Sequence, residues 1–112
     1  MGRHGTVYLI CDPETELFKI GVTSGSVEKR LKKLQTGNGA QLHITSLHES
    51  EHPFKVEAML HRKYCAKKTV NEWFSLEPED VFDFNKTCDA FETILESLTD
   101  NPFFNKERHV FD

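Results

Sequence analysis

A chain of 112 residues with 38% apolar and 29% charged side chains fits one soluble globular domain with a single modest core. Its apolar runs are strand-length, which excludes a membrane-spanning helix, and no leader peptide is expected. The formal net charge of −4 is unevenly spread: residues through Val70 carry 11 basic and 7 acidic side chains, those from Asn71 onward 3 and 11, so a polyanionic partner is expected to meet the N-terminal part.

Cys11, Cys65 and Cys88 are an odd, widely spaced set without a C-x-x-C pair. This argues against a disulfide framework and a structural zinc site, and for a reducing, cytoplasmic setting. Along the chain, "TVYLIC" (6–11) and "LFKIGV" (17–22) are rich in β-branched and aromatic residues and flank "DPETE", which is turn material. They predict a β-hairpin. If its loop is 12–15, Cys11 faces Glu16 and Tyr8 lies directly opposite Lys19.

"SGSVEKRLKKLQTGNG" predicts a helix, with Ser26 as N-cap, Val27, Leu31 and Leu34 on one apolar face, and Gly37 as its stop. "QLHITSLHE" (41–49) predicts a strand with Leu42, Ile44 and Ser46 on one face and His43, Thr45 and Leu47 on the other. Pro53 suits the first turn of a helix over 53–68 carrying Phe54, Ala58, Leu60 and Tyr64. "EWFSL" (72–76) predicts a short strand. From Pro78 a last helix places Val81, Phe84, Cys88, Phe91, Leu95 and Leu98 on one stripe, expected to pack on the domain's own sheet, with a dimer seam as the alternative. Phe103, Phe104 and Phe111 of the tail could dock on the body or on another subunit. A monomer is the expected state, with a homodimer through the last helix or tail as the alternative. The fold class is α/β: a small antiparallel sheet flanked by helices, in the order ββαβα, then a short strand and a helix.

"HESEH" (48–52) matches the zinc-peptidase pattern H-E-x-x-H, which needs both histidines one turn apart on a helix. His52 precedes Pro53, and the residue before proline is pushed away from the helical region. The segment therefore reads as a strand exit leading to a helix N-terminus.

Other residues carry more chemistry. Lys19 interrupts an apolar strand; the choice is between a snorkelling side chain and a cation that favours the phenolate of Tyr8, since a tyrosine ordinarily ionises near pH ~10. Gly21 weakens a strand unless something must approach the backbone closely, such as a substrate phosphate or the neighbouring helix. In the basic run "EKRLKK", Arg30 differs in kind from Lys29, Lys32 and Lys33, because a guanidinium can clamp a phosphate with two hydrogen bonds. Glu57 and His61 are four apart and share a helix face.

In order, "GTVYLI", "FKIGVTSGSVEKRLKKLQTGN", "VEAMLHRKY" and "NEWFSL" make the chain resemble the GIY-YIG nuclease superfamily, nearest its phage and bacterial branch with a K-I-G second motif and an E-W-F strand. The resemblance spans about two-thirds of the chain and divides the single domain (1–112) into a core over 5–77 and a C-terminal helix and tail over 78–112. It implies a metal-dependent endonuclease acting on nucleic acid, with DNA expected ahead of RNA and the choice between them left open. Tyr8 is implied as the base, assisted by Lys19, Arg30 as the group on the scissile phosphate, and Glu57 as the ligand of one Mg²⁺ or Mn²⁺, with His61 near the metal or a water. Lys29, Lys32 and Lys33 would add nonspecific backbone contacts. The superfamily's late asparagine has two candidates, Asn71 and Asn38. The alternative is a module that binds nucleic acid without cleaving it; a third, remote option is a protein-interaction module built on the aromatic C-terminal third.

Overall fold

The computed structural model describes residues 4–37 and 39–99. Four antiparallel strands form one sheet in the order β3-β1-β2-β4, with β1 Gly5–Asp12, β2 Leu17–Thr23, β3 His43–Ser50 and β4 Trp73–Phe74. The helices among the described residues are α1 Val27–Thr36, α2 Pro53–Lys63, α3 Pro78–Phe82 and α4 Phe84–Thr99, with a 3₁₀ turn over Cys65–Lys67. The architecture is the expected small α/β fold with an antiparallel sheet flanked by helices.

Alternation along the strands divides the core in two. Val7, Leu9 and Ile20 point to one face, where they meet Val56 and Leu60 of α2 and Phe84, Cys88 and Leu95 of α4. Tyr8 and Ile10 point to the other, against Val27, Leu31 and Leu34 of α1. Burying both faces is what a sheet of mostly apolar strands requires. Among the described residues no helix is long and apolar enough to cross a membrane, and all three cysteines are free thiols.

The hairpin forms, but its register is shifted by two from the expected one. Asp12 pairs with Leu17, so the loop is 13–16, Tyr8 lies opposite Gly21, and Ile10 lies opposite Lys19. The loop's own hydrogen bonds fix this: Asp12 Oδ1 accepts from the amides of Glu14 (3.0 Å) and Thr15 (3.4 Å), the Glu16 amide donates to the Asp12 carbonyl (2.8 Å), and Glu16 turns left-handed at φ 60°. A shift of two preserves facing, so Tyr8 and Lys19 still share one side of the sheet.

Ser26 caps α1, its side chain accepting from the Lys29 amide at 3.3 Å, and Gly37 closes the helix at φ −95°. In β3 the predicted face breaks. The pairing with β1 slips between Leu9 and Ile10, so Leu9 opposes Ser46 while Ile10 opposes Ile44. Thr45 is the extra residue of a bulge; Ile44 joins the Tyr8 side and Ser46 the Leu9 side.

Helix α2 begins at Pro53 as expected but ends at Lys63, and it turns Val56 and Leu60 inward, leaving Phe54 and Ala58 exposed. The last helix is two helices, broken at Asp83. Its stripe packs on the body: Phe84, Cys88 and Leu95 are buried, Val81 and Phe91 pack against them, and Leu98 at the far end is exposed. Burial pushes the Cys88 thiol up to about 12, as suits a packing residue. Asn38 and the phenylalanines of the tail lie outside the described residues.

Candidate functional site

"HESEH" is a structural joint. His48 is the sixth residue of β3, and His52 caps α2 at φ −133°, ψ 56°, so the two histidines share no helix face. Glu92 of α4 organises the segment: its Oε1 meets His48 Nε2 at 3.1 Å and accepts from Ser50 Oγ at 2.7 Å, and its Oε2 accepts from the Glu51 amide at 3.2 Å. Burial pushes this carboxyl up, but the hydrogen bonds outweigh it and hold it below the usual range.

The residues with the strongest chemical case converge on the other face of the sheet and around the edge of β2. Tyr8 is fully buried. Its ring crosses β1 to β2 and lies over Gly21: a Cβ at position 21 would sit 2.3 Å from Tyr8 Oη. The close approach that calls for glycine is therefore made by the Tyr8 ring itself, where neither a substrate phosphate nor the helix was needed to explain it.

Arg30, three residues after buried Val27 on α1, reaches back to the sheet, and its Nε donates to Tyr8 Oη at 3.2 Å. That hydrogen bond raises the guanidinium further above its ordinary range. Lys19 is diagonal to Tyr8 rather than opposite it. Its Nζ donates to Glu72 Oε1 at 2.7 Å and lies 6.0 Å from the centre of the Trp73 ring. The cation on the phenol oxygen is thus Arg30, and the cation at Lys19 is paired with a carboxylate.

Glu57 approaches from α2. β4 pairs with β2 only at Phe18 and Lys19, and His61 Nε2 meets the next carbonyl, that of Ile20, at 3.0 Å. A carbonyl can only accept, so Nε2 carries the proton. The His61 ring also stands edge-on to Phe74, centroids 5.0 Å apart, and Glu57 Oε2 lies 3.9 Å from Nε2. Burial pushes the Glu57 carboxyl up, His61 opposes this, Glu72 adds to it, and Lys19 and Arg30 oppose it. Those couplings mark Glu57, Glu72, Lys19, Arg30 and His61 as one electrostatic neighbourhood.

Glu72 was not singled out by sequence as a site residue. Its hydrogen bond to Lys19 holds its carboxyl below the usual range, against the effect of burial. Two signals were available, a lysine inside an apolar strand, which needs a counter-charge if buried, and the glutamate that opens the E-W-F motif, but they lie 53 residues apart and nothing local pairs them. Asn71 turns left-handed at φ 56° in the bend just before Glu72, a conformation asparagine tolerates. Lys29, Lys32 and Lys33 are exposed on α1.

A family model, that of the T5orf172 domain, matches residues 5–89. The chain belongs to the T5orf172 domain family. T5orf172 domains occur in phage and bacterial nuclease-like proteins, which points to a nucleic-acid-related function. The T5orf172 match takes in the hairpin, α1, α2, β4 and the start of α4, and so every residue of the neighbourhood just described. No curated protein and no solved structure matches the chain.

Proposed function

We propose that this T5orf172 domain is a metal-dependent endonuclease of the GIY-YIG type that hydrolyses phosphodiester bonds, in DNA rather than RNA. The observation that carries the reading is the Arg30 Nε to Tyr8 Oη hydrogen bond of 3.2 Å, made over a glycine whose missing side chain leaves room for the ring. It couples a phosphate-binding fork to an oxygen able to take a proton.

Tyr8 is fully buried and Arg30 is exposed, so the guanidinium covers the hydroxyl from the solvent side. A phosphate engaging the terminal nitrogens of Arg30 draws the fork outward and uncovers Tyr8 Oη for the attacking water. Tyr8, reacting as the phenolate beside the Arg30 cation, then takes the water's proton and becomes the phenol as the water oxygen bonds to phosphorus and the bond to the leaving oxygen breaks; Arg30 offsets the charge developing on the phosphate oxygens, and Lys19 supplies a second positive charge. His61 is a positioning residue here: its Nε2 proton is committed to the Ile20 carbonyl, and the ring buttresses Glu57.

Glu57 suits one hard cation. It offers two carboxylate oxygens from a partly exposed position on α2, and its ionised form is under-compensated by its surroundings. Among the described residues no group of three or more His, Cys, Asp or Glu is placed as a ligand set. Such a site fits Mg²⁺ or Mn²⁺ keeping most of its waters, rather than Zn²⁺. The bound ion would supply Lewis-acid stabilisation of the leaving oxygen.

The test is cleavage of double- and single-stranded DNA and RNA by the parent, Tyr8→Phe and Arg30→Lys, with Mg²⁺ or Mn²⁺ and with chelator. Tyr8→Phe should lower kcat by roughly 10²–10⁴-fold, and Arg30→Lys by roughly 10²–10³-fold. Folded variants that cleave as fast as the parent would end this reading. The complete burial of Tyr8 favours a second one, a binding module without turnover; it predicts nucleic-acid binding with no cleavage under any of these conditions.

A further inference from the structure

We propose that Glu72 is a positioning residue for Lys19: its carboxylate holds the buried ammonium on the Tyr8 face of the sheet, so that the site keeps a fixed cation beside the exposed fork of Arg30. The inference rests on the nuclease reading above for its catalytic consequence, but not for its geometry.

Lys19 is 8% exposed and lies in a strand that is otherwise apolar. A lysine there has a four-carbon stem able to swing its ammonium out to water, and burying the charge without a partner is expensive. The 2.7 Å bond to Glu72 Oε1 reverses that preference. The ammonium has three donors and this bond uses one, which leaves two for an incoming phosphate.

The turn beneath Glu72 is built to hold it. The Trp73 amide donates to the Val70 carbonyl at 3.0 Å, closing a four-residue turn with Asn71 at φ 56° and Glu72 at its centre. The Thr69 amide and hydroxyl both donate to the Trp73 carbonyl, at 2.9 and 3.0 Å, and the Ser75 amide donates to the Lys67 carbonyl at 2.8 Å. The next residue, Trp73, pairs with Lys19 itself. The register that docks β4 on β2 therefore also delivers the carboxylate to the ammonium. The Glu72 side chain is 48% exposed, so it contributes little packing, and its placement is explained by the charge it meets.

Two measurements decide the matter. The first is a double-mutant cycle in cleavage with Glu72→Gln, Lys19→Met and the pair, with Glu72→Asp as the conservative variant. Glu72→Gln should lower kcat by roughly 10–100-fold with little change in KM, as loss of a supporting residue does. Glu72→Asp should recover part of the loss, and Glu72→Gln should cost nothing further in the Lys19→Met background. Losses that simply multiply would overturn the proposal. The second is the ¹⁵N spectrum of the lysine ammonium groups in mildly acid, cold solution. The Lys19 signal should be visible in the parent and lost to exchange in Glu72→Gln; a signal that survives overturns the proposal whether or not the protein cleaves. If the parent cleaves nothing, the nuclease reading falls, and the ammonium spectrum still decides whether Glu72 holds Lys19.

Discussion

Gly21 and Glu57 show opposite ways in which one residue serves the site. Gly21→Ala places a methyl 2.3 Å from Tyr8 Oη, and the fully buried ring has nowhere to retreat. The expected cost is about 1–3 kcal/mol, measured by denaturant unfolding, together with loss of the Arg30 contact. A strand glycine was legible in the sequence, and so was the need for a close approach; what approaches it was not, because that depended on a register two residues from the expected one. Glu57 instead carries strain in its charge. Its carboxyl is raised by burial, so the stability it contributes is present below the ordinary carboxylate range and is lost as pH rises through the raised value. Glu57→Gln should therefore melt higher than the parent at neutral pH, and the advantage should vanish in acid, where the parent's carboxyl is protonated. If Glu57 holds the metal of a nuclease, as proposed, cleavage should fall in the parent at a higher pH than an exposed glutamate would dictate. A Glu57→Gln variant that melts lower at neutral pH would contradict this account.

At the level of elements, helix starts were readable, whereas the exact hairpin turn and the irregularities were not. Ser26 at the start of α1 and Pro53 at the start of α2 announce their helices by mechanisms that act within a few residues. The bulge at Thr45 and the break at Asp83 come from how β3 and α4 dock on the rest, and alternation in "HITSLHE" cannot reveal them. The joint between β3 and α4 is itself long-range: Glu92 gathers His48, Ser50 and the Glu51 amide across 41–44 residues. Its carboxyl is held below the usual range, so the stability it contributes is present above that range and is lost as pH falls through the lowered value. Glu92→Gln should cost about 1–3 kcal/mol at neutral pH, because buried donors lose their charged acceptor. The difference from the parent should shrink in strong acid. Thermal melts across that pH range check both statements, and an equal difference at every pH would count against them.

Across the whole molecule the main basic run and the main acidic run lie on opposite faces, while α2, on the α4 side, adds Lys55, Arg62 and Lys63 to that side. Lys29, Arg30, Lys32 and Lys33 lie on α1, on the Tyr8 side of the sheet. Glu77, Glu79, Asp80, Asp83, Asp89, Glu92 and Glu96 lie at and along α3 and α4, and α4 packs on the opposite side. A polyanion is thus attracted to the α1 surface and repelled from the acidic surface of α3 and α4, which biases how it meets the site. The binding that results is electrostatic in origin and must weaken with salt, each phosphate contact contributing about 0.9 to the slope of log K against log salt on duplex DNA. Replacing Lys29, Lys32 and Lys33 together with Gln should reduce that slope by up to about 3 while leaving the fold intact, since all three side chains are exposed. Replacing Lys63, Lys68 and Lys86, which lie off α1, with Gln removes the same net charge from exposed positions and controls for charge alone. If α1 is the docking face, the first triple variant loses far more affinity at low salt than the second, and the two converge at high salt. Equal losses in the two variants would mean that net charge, and not the α1 surface, brings the nucleic acid to this protein.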